Sequence, residues 1–104
     1  MHFSKIFKVK VGKLDTLKKW FEVLSGERKK EAIATFAYEN VSREEFVLFK
    51  GDDGNDYVIG LNEVTGEHRK GDPTVIINQE HRAIMEECLE RISENGEVLL
   101  DLHA

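Results

Sequence analysis

The sequence has one cysteine, one proline and no long apolar run. Because Cys88 is the single cysteine among 104 residues, an intrachain disulfide and a zinc site built from several thiolates are both excluded. No apolar stretch approaches the roughly 20 residues of a membrane-spanning helix. The opening residues, MHFSKIFKVKV, also lack the apolar core of a signal peptide. These absences predict a cytoplasmic protein without a membrane partner.

An excess of positive charge is absent as well. The chain has 15 Lys and Arg residues against 20 Asp and Glu residues, which gives a formal net charge of −5. A nucleic-acid-binding domain normally presents a basic face. A short basic cluster, Arg28 to Lys30, is flanked by Glu27 and Glu31. We therefore expect no nucleic-acid partner, and we interpret the cluster as a solvated helix face.

The segment GDDGND at residues 51–56 is acidic but lacks the features of a calcium loop. An EF-hand needs a twelve-residue loop that ends in a glutamate, whereas aspartate, asparagine and glycine together are typical of tight turns. We therefore predict a turn here, and the sequence indicates neither a metal nor a cofactor.

With 40% hydrophobic and 34% charged residues, the composition predicts a single globular domain over residues 1–104.

Apolar runs on both sides of this turn predict a β-hairpin over residues 43–63. An Asp-Gly pair between alternating hydrophobic residues is a strong hairpin signal. A turn centred on Asp53-Gly54 pairs Leu48 with Ile59 across the two strands. Both faces of the hairpin are then apolar, so both need to be covered.

Strand-like and helical periods alternate before the hairpin. Residues 3–11 alternate in the manner of a strand, residues 13–24 carry one broad apolar helical stripe, and residues 27–38 carry a second. A Ser-Gly pair at residues 25–26 separates the two stripes. The sequence leaves open whether residues 13–38 form one kinked helix or two.

A last helix and a last strand follow the hairpin. Asp72 and Asn78 are alternative caps for the start of this helix, and its apolar stripe continues to Ile92. The Asn95-Gly96 pair is typical of a helix end. Residues 98–102, which include three leucines, are then predicted to form the terminal strand.

The resulting order is β-α-β-β-α-β, which predicts an α+β, ferredoxin-like fold. In this arrangement a strand is inserted between the two parallel strands of each βαβ unit. Right-handed crossovers place both helical segments on one face of a four-stranded antiparallel sheet. The other face stays bare, and a second copy of the chain is its simplest cover. We therefore expect a homodimer.

His81 is the most informative polar residue, because it lies on the apolar stripe of the last helix. We place it in or near the first turn, where the helix dipole favours a neutral imidazole. Such a ring either lines a pocket as a base, acid or ligand-binding group, or is a core histidine bonded to backbone. Tyr57 either provides the hydroxyl partner in that pocket or packs at the sheet margin. Cys88 points inward, so we predict a buried thiol and not a nucleophile.

Three stretches carry a resemblance to known proteins: FKVKVGKLDTLKKWFEVL, EFVLFKGDDGNDYVIGLNE and INQEHRAIMEECL. They resemble a family of small bacterial proteins of unknown function, with His81 and Cys88-Leu89 as the recognisable marker. Length and element order are similar to the dimeric α/β-barrel superfamily of antibiotic-biosynthesis-type monooxygenases, muconolactone isomerase-like proteins and sugar mutarotases. This resemblance implies the fold and a homodimer. It implies no activity, because the members differ in chemistry, and no catalytic residue is carried over.

Two functions stay open, and whether the protein is an enzyme is not decided. The first is a homodimer that binds a small molecule between sheet and helices, near His81 and Tyr57. The alternative is a non-catalytic dimeric interaction or regulatory module with a filled core. A cavity that touches both residues favours the first. A filled interior with His81 bonded to backbone favours the second.

Overall fold

The computed structural model describes residues 2–104, and residue 1 of the expected domain lies outside them. Strands and helices make up most of residues 2–94, and residues 95–104 have no regular structure. Within the described residues, no helix is long and apolar enough to cross a membrane. The elements are β1 (His2–Val9), α1 (Leu14–Ser25), α2 (Lys29–Ile33), α3 (Phe36–Glu39), β2 (Val41–Lys50), β3 (Asp56–Val64), α4 (Ile76–Cys88) and β4 (Leu89–Glu94).

The four strands form one antiparallel sheet in the order β2-β3-β1-β4. The predicted hairpin is confirmed as β2 and β3, but its register differs by one residue from the expected one: Leu48 pairs with Val58, not with Ile59. The turn explains the difference. The last pair, Lys50 with Asp56, leaves a five-residue loop centred on Asp53 in place of the two-residue turn.

The helices pack on one face of this sheet, as the sequence predicts. The core cluster contains Val58 from β3, Leu17 from α1 and Cys88 from α4. Leu17 and Cys88 are almost completely buried, at 1% and 0% exposure. Partly buried side chains pack against this cluster from both helices and from the sheet: Phe7, Leu14, Phe21, Phe46, Ile84 and Met85.

Residues 13–38 form neither one kinked helix nor two, because α1 is followed by a short α2 and the start of a short α3. After α1, the backbone N–H groups of Gly26 and Arg28 both donate to the Val23 carbonyl, at 3.3 and 3.0 Å, and turn the chain. Asn40 has φ 57, a left-handed conformation that asparagine tolerates well. This residue ends α3 and lets β2 begin at once.

The prediction for the C-terminal residues is wrong. α4 ends at Cys88, and the last strand is β4 at Leu89–Glu94, not residues 98–102. The free edge of β1 explains this, because β4 pairs with it and Lys10 N–H donates to the Cys88 carbonyl at 2.8 Å. Backbone pairing with an existing strand outweighs the helical period that continues to Ile92.

The second face of the sheet carries no helix of the described chain, and we call it the open face. Ile6, Phe49 and Leu61 lie on it and are 40%, 50% and 37% exposed. The accessible surface is 7600 Å², against about 6,000 Å² for a compact monomer of this mass. The radius of gyration is 14.3 Å, whereas about 13 Å is typical of this length. The chain therefore exposes more surface than a self-contained domain of its size.

We expect Leu17→Ala to lower the free energy of unfolding by about 2–5 kcal/mol, because it leaves a cavity in the core. Urea denaturation at one fixed protein concentration measures this loss. Val11→Ala is the matched control, since Val11 is 94% exposed and its change should stay within about 0.5 kcal/mol. Equal losses in the two variants would contradict the placement of Leu17.

Candidate functional site

His81 lies on the inner side of α4 and bonds to a side chain of α1. The indole Nε1–H of Trp20 donates to His81 Nδ1 over 2.9 Å. The ring centroids of Trp20 and Phe46 lie 6.1 and 6.4 Å from that of His81. This aromatic cluster joins two helices to the sheet. The partner of His81 is therefore neither the backbone nor Tyr57, the two partners that the sequence suggests.

The bond with Trp20 fixes the protonation state of His81. A ring nitrogen that accepts a hydrogen bond carries no proton, so the neutral ring keeps its proton on Nε2. Burial, with a smaller contribution from the positive charge of Lys5, lowers the pKa of His81 from 6.5 to about 4. Since α4 begins at Ile76, His81 lies beyond the first turn. Burial and Trp20, rather than the helix dipole, therefore account for the neutral ring.

A cleft of about 60 Å³ lies beside His81, between the sheet and the helices. No atom of the described chain bonds to His81 Nε2. Every buried side-chain nitrogen or oxygen of residues 2–104 has a hydrogen-bond partner. Since Nε2 has none, it is not buried, and it is open to the cleft. The other lining residues are of two kinds. We call the apolar ones, Leu24, Ala32, Phe36 and Ile77, the apolar wall, and the polar ones, Thr35, Glu39, Glu44 and Asn78, the polar wall.

Glu44 on β2 is the second titratable group that lines this cleft. Burial of the carboxyl, together with the negative charge of Glu39, raises the pKa of Glu44 to about 7, and Lys5 opposes the shift. Glu44 as a whole residue is nevertheless exposed, so water reduces the energetic effect of this shift. The amide of Asn62, turned so that both of its groups are satisfied, donates to Glu44 Oε2 at 3.3 Å. Near neutral pH, Glu44 therefore exchanges between an acceptor carboxylate and a donor acid.

Glu39 brings a second carboxyl to the polar wall, from α3. Burial raises the pKa of Glu39, and Lys5 opposes this shift too. The two carboxyls disfavour each other's charge. The polar wall therefore holds a proton more readily than isolated glutamates do, and its net charge depends on pH around neutrality.

Arg28 is a residue whose role the sequence analysis misjudged, because we interpreted it as part of a solvated face. Its guanidinium bonds to both oxygens of Glu80, at 2.5 and 3.1 Å, and also to Glu31. It lies 5.7 Å from the ring centroid of Trp20. Arg28 therefore ties the start of α2 to α4, next to His81, and covers the outer side of Trp20.

Tyr57 lies away from the cleft. Strand alternation from the buried Val58 puts Tyr57 on the open face, and its hydroxyl donates to the carboxylate of Asp53 in the hairpin loop. Asp53 also accepts from the Asn55 backbone N–H at 2.9 Å. The two predicted site residues are therefore on opposite faces of the sheet. His81 lines the cleft, whereas Tyr57 does not.

The acidic loop and Cys88 take structural roles. Asp53 stabilises the turn through its bonds to Tyr57 and Asn55, which lower the pKa of its carboxyl to about 2. Among residues 2–104, no group of three His, Cys, Asp or Glu side chains is close enough to hold a metal ion. Cys88 is buried, which raises the pKa of its thiol. Neither feature belongs to the cleft.

Glu44 is the cleft residue that the sequence analysis missed, although the sequence contains a signal for it. It lies two residues before Phe46, and positions two apart in a strand share a face. Once Phe46 is placed on the helix side, Glu44 follows it there as a charged residue on an inner face. Thr35, Glu39 and Asn78 also line the cleft but carry no such signal. Thr35 and Glu39 belong to the short α3 and the turn before it, and Asn78 lies in the first turn of α4.

Comparison with known protein families gives a match over nearly the whole chain. The model of a family described as a family of unknown function, DUF6176, matches residues 4–104. This agrees with the predicted resemblance to a family without an assigned activity. No curated protein and no solved structure gives a significant match.

We expect the indole of Trp20 to report the pKa of His81. Because Trp20 is the only tryptophan, a ¹H–¹⁵N spectrum contains one indole Nε1–H signal. It should keep its position as the pH falls to about 5 and shift only as His81 protonates near pH 4, since a protonated Nδ1 no longer accepts. Trp20→Phe removes the donor that favours the neutral ring, so the pKa of His81 should rise in this variant. A wild-type midpoint near 6.5 would contradict the buried, bonded ring.

Proposed function

We propose that the chain, which belongs to the family of unknown function DUF6176, binds the polar end of a small molecule in the cleft beside His81. One observation carries this proposal. A histidine held neutral by Trp20 presents a free Nε2–H to a cleft that Glu44 also lines. Polar groups beside an apolar wall are the usual composition of a small-molecule site.

The cleft has the size and chemistry to take a small uncharged group. Ligand pockets for drug-sized molecules measure about 300–1,000 Å³, so a cleft of about 60 Å³ takes a few heavy atoms. His81 Nε2–H donates and the Glu44 carboxylate accepts. A group that both accepts and donates, such as a carboxamide or an alcohol, satisfies both residues. The rest of such a molecule would lie outside the cleft.

The same chain is proposed to act as a homodimer that pairs through its open face. The excess of surface over a compact monomer and the exposed Ile6, Phe49 and Leu61 support this assembly. The sheet order supports a ferredoxin-like fold of the dimeric α/β-barrel type. In it, β3 lies between β1 and β2, and β1 lies between β3 and β4.

The open face also supports the second candidate function, an interaction or regulatory module. In that case the dimer is the functional unit and the cleft holds only water. We further propose that residues 1–104 form one domain and that the protein is cytoplasmic. An unpaired thiol, here Cys88, suits a reducing compartment.

We expect propionamide to bind with a millimolar dissociation constant and to shift the indole signal of Trp20. Binding should tighten as the pH rises from about 6 to 8, because Glu44 with its pKa of about 7 becomes an acceptor for the amide N–H. Butanone, which accepts but does not donate, should bind more weakly and without this pH dependence. An NMR titration with each compound makes the comparison.

Glu44→Gln should abolish the pH dependence of propionamide binding. Glu45→Gln is the matched control, because this neighbour on the same strand points to the other face and should leave binding unchanged. If propionamide causes no shift at any pH, or if both variants behave alike, the cleft is not the proposed site. The interaction module is then the better function.

Light scattering should give a mass of twice the 12.0 kDa chain at micromolar concentration. Ile6→Ser combined with Phe49→Ser should shift the protein toward the monomer, because both changes remove apolar surface from the open face. Val11→Ser, at a more exposed apolar position outside this face, should leave the dimer intact. A monomeric wild type would exclude the proposed assembly.

A further inference from the structure

The C-terminal residues 97–104 form an apolar tail without a partner in the described chain. This tail lies outside the helices and strands. Its apolar side chains are mostly exposed: Val98 60%, Leu99 87%, Leu100 74% and Leu102 81%. Exposed apolar residues next to one another are unusual on a monomeric protein and mark an interaction site. The sequence predicts a terminal strand over residues 98–102, but within the described chain these residues pair with no strand.

The tail leaves the domain on the side of the open face. Asn95, with φ 58, turns the chain at the end of β4, and its N–H donates to the Ser4 carbonyl at 2.7 Å. Gly96 N–H then donates to the Ser4 hydroxyl at 3.0 Å. Ser4 and Ile6 are two apart on β1, so both side chains point to the open face. A Cβ on Gly96 would lie 2.6 Å from Ser4 Oγ, so glycine allows this close approach.

The tail and the open face are thus two uncovered apolar surfaces at one side of the same chain. Their exposure accounts for part of the difference between 7600 Å² and the about 6,000 Å² of a compact monomer. That difference is about twice the roughly 800 Å² which each partner buries in a standard interface. A second copy therefore has enough surface to cover both.

We propose that residues 97–104 of each copy dock on the open face of the other copy. Fully extended, eight residues reach at most about 27 Å, and four strands at about 4.8 Å spacing make a sheet about 19 Å wide. The tail is thus long enough to cross the partner's sheet. In a two-fold dimer the exchange is reciprocal, so both tails and both open faces are covered at once. This inference rests on the proposed dimer and adds the segment that completes its interface.

Chemical cross-linking tests which sheet the tail reaches. One chain carries Leu100→Cys, and a second, larger tagged chain carries Phe49→Cys. The two are mixed and treated with a short bismaleimide. Native Cys88 is fully buried and does not compete. We expect a covalent product that contains both chains, whereas Lys29→Cys on the helix side in place of Phe49→Cys should give none.

Placing Leu100→Cys and Phe49→Cys in one chain distinguishes a cross-link between two copies from a cross-link within one copy. A tail that folds over its own sheet would link within the monomer and give no mixed product, and that result would overturn the proposal. Absence of any cross-link would overturn it too. Mixed product in the Lys29→Cys control at the same yield would mean random collision and would equally contradict it.

Substitutions in the tail test the exchange of tails separately from dimerisation. Leu99→Ser with Leu100→Ser should raise the dimer dissociation constant at least tenfold in analytical ultracentrifugation, while Ile33→Ser, a half-exposed residue on α2, should not. If the wild type is a dimer and the tail variant dimerises equally well, the exchange of tails is wrong and the dimer stands. If the wild type is a monomer, both the proposed dimer and the exchange of tails are wrong.

Discussion

The hydrogen bond from Trp20 to His81 is the interaction on which the site depends. An indole N–H that is buried needs an acceptor, and Trp20 is 8% exposed. His81 Nδ1 provides the acceptor, so α1 and α4 are held together by a polar contact inside an apolar cluster. Burial lowers the pKa of the ring, and the bond from Trp20 keeps the proton of the neutral ring on Nε2, at the cleft. One requirement of core packing therefore sets the chemistry of the candidate site.

Packing around this bond gives it a fixed geometry. Phe46 stacks on Phe21, with ring centroids 4.8 Å apart, and its ring lies over Gly60 of the neighbouring strand. Gly60 is buried, and any larger residue there would displace the ring of Phe46, which also borders His81. Arg28 closes the outer side of Trp20. This aromatic layer therefore holds His81 at the position where its ring lines the cleft.

The sequence was sufficient to predict the elements that depend on local periodicity. The hairpin follows from alternation and turn residues, and α1 from its apolar stripe. What it could not predict depends on side-chain bonds inside the hairpin loop and on contacts between distant residues. The register is set by side-chain bonds of Asp53 in the loop, and the end of α4 is set by the free edge of β1, which is more than 70 residues away along the chain. His81 was found because it lies on an apolar stripe, but its partner, Trp20, is separated from it by 61 positions.

Strand β2 connects the cleft to the open face, because successive side chains of a strand point to opposite sides. Glu44 and Phe46 belong to the cleft side, and Val47 and Phe49 alternate to the open face. β2 is also an edge strand, so the other strands hold it along one side only. A partner that covers Val47 and Phe49 would restrict the movement of β2 and thereby hold Glu44 in place in the cleft that His81 also lines. Assembly on one face would therefore organise the cleft on the other, although no residue of the open face needs to contact the ligand.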